Sequence, residues 1–388
     1  MENKKNINVF VPKFRKQEIM THIEECLDKG WTGMGYKTVE LEEEWKKITF
    51  FDNAHFLSSN TVGLHLALKV LKQEEKWEDE DEVITTPLTF VSTNHSILYE
   101  NLTPVFADVD DQLCLDPVDV ENKITPKTKA IMFVGIGGNI GQYKKIKELC
   151  LKYNLKLIFD AAHCAGTMVP RVFHGASVAD VQVGWDADVT VFSFQAVKNL
   201  PTADSGMICF KEKKYDQIVR KLSWLGIDKD TFNRTTSKGT YKWDYDVPNI
   251  GYKYHGNSIM ASMGLVGLKY LNEDNTRRRE IANIYDQELL NLNQVKVVSH
   301  NPNCTSSRHL YQIRVPNRPQ IMKYFNDQNI FPGVHYKDNT KYKLYNSSYG
   351  TCPNAHQISE ELITLPIHCN MTNEDCFEVV KVLKKALN

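Results

Sequence analysis

The chain has 388 residues, of which 42% are hydrophobic, 10% aromatic and 24% charged. Such a length suits two domains, or one large α/β domain with an appendage, and the apolar share is ample for a packed core, which excludes wholesale disorder. With 47 Lys and Arg against 48 Asp and Glu the formal net charge is −1, so no bulk basic field exists to hold a nucleic acid or an acidic membrane.

The first ten residues lack the apolar core of a secretory signal, and no run of about 18 apolar residues suggests a spanning helix. Nine cysteines are scattered singly with no Cys-x-x-Cys pair. That usage predicts reduced thiols in a cytoplasmic protein, with no metal site.

Residues 15–30 have helical periodicity, and Thr61–Lys72 (TVGLHLALKVLK) is a second helix with an apolar face. Strands are predicted at Val83–Thr86, Pro104–Ala107 and Lys129–Gly135, then a helix at Tyr143–Tyr153, then strands at Leu155–Phe159 and Val189–Phe194. This alternation implies an α/β fold with a mostly parallel sheet covered on both faces. In such a sheet, ligands gather at the carboxyl ends of the strands. Segment 226–247, polar and aromatic, reads as a loop or lid. From about residue 250 the texture changes to a long helix from Met260 through Asn283 and beyond, strands near Val295–Ser299 and Leu310–Val315, a helix at Arg318–Asn326 and a last helix at Asn373–Leu387. The expected division is a large domain over 1–250 and a smaller α+β domain over 251–388.

The glycine cluster Gly135-Ile-Gly-Gly-Asn-Ile-Gly141 follows a strand and precedes a helix, but Ile140 breaks the G-x-G-x-x-G spacing of a dinucleotide fingerprint. Glycines that turn the chain between strand and helix explain it better. Four strand ends carry more. Ser58-Ser-Asn-Thr61 opens a helix, either as a plain cap or as a cradle of free N–H groups for an anion. Phe90 follows a buried strand, as a core residue or as a plate for a flat ligand. Asp160 follows the apolar strand LKLIF, where a carboxylate must cap a helix or meet a cation or hydrogen-bond donors. Lys198 lies just beyond another buried strand, where burial would lower its pKa and free an amine for covalent chemistry. Each signal is weak singly; their order along one sheet edge is the stronger observation.

The runs SSNTVGLHLAL, PLTFVSTNHSILYENLTPVFADVD, FDAAHCAG and FSFQAVKNLPTADSGM resemble the sugar aminotransferases of the DegT/DnrJ/EryC1/StrS family, as do GYKYHGNSIMASMGLVGL, GVHY (333–336) and LPIH (365–368). The resemblance covers residues 8–386. It implies a fold-type I, pyridoxal 5′-phosphate-dependent aminotransferase. By position, Lys198 matches the lysine that bonds the cofactor covalently, and Asp160 the carboxylate on its pyridine nitrogen. His163 matches a group near the phenolic oxygen, and Phe90 the aromatic stacked on the ring. Asn60, Thr61 and Ser193 match phosphate contacts. Lys253 matches a residue that reaches the phosphate of the neighbouring subunit, which implies a homodimer with shared active sites.

The same resemblance implies glutamate as amino donor and a nucleotide-linked ketosugar as acceptor, with Gln195 and His335 as substrate contacts. Three departures bear on substrate detail: Gln195 replaces a His, Ala203-Asp-Ser-Gly206 replaces Gly-Glu-Gly-Gly, and Val134-Gly-Ile-Gly-Gly138 replaces a His-x-Tyr-Gly segment. Dehydration or isomerisation of the sugar, and a non-catalytic cofactor-binding regulator, are the alternatives. The presence of Lys198 argues against the first, and the lack of a spare basic domain against the second.

Overall fold

A short strand β1 (Ile7–Asn8) and two helices, α1 (Lys16–Asp28) and α2 (Tyr36–Thr49), precede the main sheet. The sheet is built from β2 (Asn53–Leu57), β3 (Glu82–Thr85), β4 (Thr103–Phe106), β5 (Thr128–Val134), β6 (Lys156–Asp160), β9 (Val189–Ser193) and β10 (Gly206–Phe210). Between them run α3 (Asn60–Glu74), α4 (Val91–Tyr99), α5 (Pro117–Asn122), α6 (Tyr143–Tyr153) and the hairpin β7 (Met168–Phe173) with β8 (Ala176–Gln182). This computed structural model describes residues 5–173, 176–228 and 245–388. Residues 229–244 of the expected loop or lid lie outside the described residues.

Strand order is β2-β10-β9-β6-β5-β3-β4, parallel throughout except that β10 runs antiparallel to both its neighbours. Two reversals cancel, so β2 runs the same way as β9. All six other strands therefore end on one edge, where the sequence places its candidate residues.

Successive side chains in a strand point to opposite faces, and here both faces are apolar. In β5, Ala130 and Met132 join one buried cluster while Ile131 and Phe133 join the other. On the first face lie Leu64, Leu68 and Leu71 of α3 and Tyr215 and Val219 of α7 (Lys213–Leu222). On the second lie Leu41 and Trp45 of α2, Ile146 of α6, and Ala261, Leu268 and Leu271 from α8 (Ser258–Leu289). Burying a side chain such as Leu64 or Phe133 contributes about 1.5–3 kcal/mol.

The long helix α8 serves two cores. Its later residues Ile281, Tyr285 and Leu289 pack in a third cluster with β11 (Lys296–Val297), β12 (Tyr311–Arg314), α9 (Arg318–Asp327), β13 (Ile330–Phe331), β14 (Leu362–Leu365) and α11 (Asn373–Ala386), while α10 (Pro353–Glu361) packs its Ala355 and Ile358 into the cluster on the second face of the main sheet. There β11, β12 and β14 form an antiparallel sheet, and β1 pairs in parallel with β13, bringing the amino-terminal segment to the smaller unit. Val295–Ser299 contains only the two-residue strand β11.

Candidate active site

At the carboxyl edge of the main sheet lies a cavity of about 440 Å³. Asn60, Thr61, Phe90, Asp160, His163, Ser193, Gln195, Lys198 and His335 all line it. Lys253 does not; its Nζ sits 3.6 Å from the centre of the Trp224 ring, and burial lowers its pKa.

Asp160 is the last residue of β6, and no helix follows it, so it is not a helix cap. The residue is only 3% exposed. Thr93 Oγ1 donates to Oδ2 at 2.7 Å, and the Ala162 amide and Asn60 Nδ2 donate to Oδ1 at 3.1 and 3.3 Å. Burial pushes its pKa up, while these hydrogen bonds and the charge of Lys198 pull it back. No cationic side chain is bonded to it among the described residues, so the buried carboxylate is solvated by donors yet still open to a cationic partner.

Asn60 is spent partly on that carboxylate and partly on Val191, whose carbonyl accepts from Nδ2 at 3.1 Å. The cap of α3 is Ser59 instead, whose Oγ accepts from the Val62 amide at 3.3 Å. The Asn60 and Thr61 amides have no acceptor among the described residues. They lie at the positive end of a fifteen-residue helix, an arrangement that favours an anion. Gly206 of β10 makes this approach possible, since a Cβ there would stand 2.8 Å from the Asn60 nitrogen.

Lys198 emerges from a tight turn after β9. Its amide donates to the Gln195 carbonyl at 2.8 Å, and Gln195 Oε1 accepts from the Val197 amide at 3.0 Å. Part of the Gln195 side chain thus shapes the turn. Burial lowers the Lys198 pKa to about 8, against the opposing pull of Asp160. Its Nζ has no hydrogen-bond partner among the described residues.

His163 has its tautomer fixed by the backbone. The Gly137 amide donates to Nδ1 at 3.1 Å, so a neutral ring carries its proton on Nε2, which lies 3.1 Å from the Tyr336 hydroxyl. Burial holds its pKa well below the ordinary value. The glycine cluster therefore supports this histidine. Gly137 has a positive φ of 65° and packs under Gln312 and Leu310, leaving no open cradle for a dinucleotide.

Sequence reasoning missed Thr93, Phe10, His309 and Tyr336, which also line the cavity. Tyr336 had a signal, being the last residue of the noted GVHY run. Phe10 and His309 had none locally, because tertiary packing brings them from the two ends of the chain. Phe90 is 57% exposed at the rim, its ring 6.0 Å from that of Tyr336. His335 shares its Nδ1 with Thr364 Oγ1 at 3.0 Å.

Residues 13–384 match the model of the DegT/DnrJ/EryC1/StrS aminotransferase family. The chain belongs to that family. This aminotransferase is 31% identical over 386 residues to the spore coat polysaccharide biosynthesis protein SpsC of Bacillus subtilis, covering 96% of this chain and 95% of SpsC. Its fold is similar to that of Helicobacter pylori PseC, an aminotransferase involved in pseudoaminic acid biosynthesis (TM-score 0.87, 26% identity, 99% of each chain). It is also similar to Streptococcus pneumoniae Spr1654 in its PLP-form (TM-score 0.86, 27% identity, 99% of this chain and 100% of that one). The fold is that of the fold-type I aminotransferases, and the cofactor is pyridoxal 5′-phosphate. The site fits that group: a buried carboxylate awaits a cation, two free amides await a phosphate, and a lysine of lowered pKa stands beside them. No helix among the described residues is long and apolar enough to cross a membrane.

Proposed function

We propose that this sugar aminotransferase moves an amino group from glutamate to the keto carbon of a nucleotide-linked sugar, in the making of aminosugars for surface glycans. The observation that carries this reading is the meeting of Asp160 and Lys198 in one cavity at the start of α3. The polysaccharide and pseudoaminic acid roles named for SpsC and PseC support the sugar as acceptor.

Lys198 would hold the cofactor covalently, Asp160 would pair with its ring nitrogen, and His163 would donate towards its phenolic oxygen. Asn60, Thr61 and Ser193 would hold the phosphate, and Phe90 would cover the ring. When bound, pyridoxal phosphate supplies an electron sink for the C–H bond broken beside the nitrogen. Displaced from its bond to the cofactor by an incoming amine, Lys198 Nζ, part neutral near pH 8, would take that proton and return it on the other side of the transfer. Asp160, as an anion steadied by the donors from Thr93 and Ala162, would keep the ring nitrogen protonated. Gln195 and His335, on the cavity wall, would contact substrate.

We place Lys253 at the site of a second copy of the chain, in a homodimer. Its absence from its own cavity supports this, as do the exposed apolar side chains of Leu225, Val247 and Ile250 nearby.

An absorption spectrum with pyridoxal phosphate tests the proposal. A near-visible band that requires Lys198, is bleached by glutamate and is restored by a nucleotide ketosugar is expected. A band indifferent to glutamate would overturn the donor, and no Lys198-dependent band would overturn the reading.

A further inference from the structure

Asn199, the residue after Lys198, is buried and makes three hydrogen bonds whose directions can be worked out. Asn275 Nδ2 donates to the Ala165 carbonyl at 3.0 Å, which leaves Asn275 Oδ1 as an acceptor. Asn199 Nδ2 donates to that Oδ1 at 2.6 Å and to the Ser307 carbonyl at 2.8 Å. A carbonyl can only accept, so the remaining terminal atom of Asn199 is oxygen. It lies 2.7 Å from His309 Nδ1, which must therefore donate. A neutral His309 with its proton on Nδ1 has a bare lone pair on Nε2.

The surroundings keep it neutral. The imidazole is stacked on Phe10, with ring centres 5.2 Å apart, and its centre is 4.4 Å from that of His163. Burial above all holds its pKa well below the ordinary value. Among the described residues Nε2 has no hydrogen-bond partner, although His309 lines the cavity.

We propose that Asn199 is a positioning residue that fixes the His309 tautomer, so that His309 Nε2 accepts a hydrogen bond from an O–H or N–H of the bound substrate. This rests on the aminotransferase reading. The link would also tie the Lys198 turn to α8 and the smaller unit, so the lysine and its substrate wall move together.

The test uses the holoenzyme. Asn in place of His309 can still donate to Asn199 but offers nothing at the Nε2 position, whereas Gln reaches that position. His309→Asn is expected to raise KM roughly five- to ten-fold in one half-reaction, with His309→Gln recovering part. The glutamate and ketosugar half-reactions, followed separately, tell whether the contact is to donor or acceptor. The ¹⁵N spectrum of histidine-labelled protein, assigned with His309→Asn, should show a protonated Nδ1 and a bare Nε2, and Asn199→Ala should disturb this signal. A protonated Nε2, or unchanged KM and kcat in both half-reactions of His309→Asn, would overturn the inference. Failure of the wild type to transfer nitrogen from glutamate would instead sink the functional reading, leaving the tautomer to be judged by the spectrum.

Discussion

Asp160 and Lys198 line the same cavity without a hydrogen bond between them, and each favours the other's charge while burial opposes both. The carboxylate is raised and the ammonium lowered to about 8. Neither is satisfied by the other, so each keeps capacity for a third group between them.

Lys198 makes the cofactor-free protein less stable at neutral pH. Its pKa of about 8 when folded is below the 10.5 of an ordinary lysine, so between these values the unfolded chain binds more protons. Stability should therefore rise with pH across that window, and the penalty is full below about 8. Lys198→Met should melt higher than the wild-type apoprotein at pH 7, and the gap should close as pH approaches 10.5. A gap constant from pH 7 to 10.5, in melting curves, would contradict the burial of a charged amine.

Asp160→Asn keeps the shape but removes the anion. Loss of one member of a buried ion pair costs about 3–5 kcal/mol, which at a transition state is roughly a hundred- to several-thousand-fold in rate. Cofactor should still bind, and the apoprotein should keep its melting temperature. Thr93→Val removes the 2.7 Å donor to Asp160, together with the 3.0 Å contact to Thr89 Oγ1. It should slow turnover roughly five- to ten-fold and shift the acidic limb of the pH profile upward, with Thr93→Ser restoring both. Steady-state rates across pH decide this.

Gly206→Ala tests the phosphate end of the cavity. The new methyl would lie 2.7 Å from the Phe192 carbonyl and 2.8 Å from the Asn60 nitrogen, both backbone atoms. The start of α3 must shift, and overpacking of this kind costs about 1–3 kcal/mol. Cofactor affinity should fall roughly ten- to a hundred-fold in a spectroscopic titration while Lys198 still reacts. Unchanged affinity would remove the α3 amides from the phosphate site.

Gly137→Ala addresses the His163 support. Its φ of 65° strains an alanine, whose methyl would lie 3.1 Å from Gln312 Oε1 and 3.2 Å from Leu310 Cβ. We expect a loss of about 1–3 kcal/mol in chemical denaturation, with a larger relative loss of activity as His163 loses its fixed tautomer. Tyr336→Phe, which leaves the Gly137 bond intact, should be milder in both respects.

Much of the main sheet was legible because its strands are short apolar runs between helical periods. The run before Asp160 and the one before Lys198 are both of this kind. The antiparallel strand Gly206–Phe210 was not read, since a strand buried on both faces shows no alternation and nothing local gives its direction. The helix Val91–Tyr99 was also passed over, its short sequence VSTNHSILY being half polar. That polarity has a use that sequence hides: Thr93 is turned to Asp160, and Asn94 Nδ2 donates to Asn339 Oδ1 at 3.0 Å.

The sequence by itself determined which lysine, which carboxylate and which helix start lie at strand ends, because strand ends are set by local apolar runs. Tertiary structure alone decided which side chains close the cavity from the other side. Phe10, His309 and Tyr336 reach it through the pairing of β1 with β13 and the docking of β12 near the glycine turn. Those contacts join segments that lie far apart in the sequence, residue 7 with 330 and residue 137 with 310, and no local periodicity encodes such a meeting. The protonation of His163 and His309 was likewise settled in three dimensions, since a ring nitrogen takes its role from whichever amide or carbonyl the fold places against it.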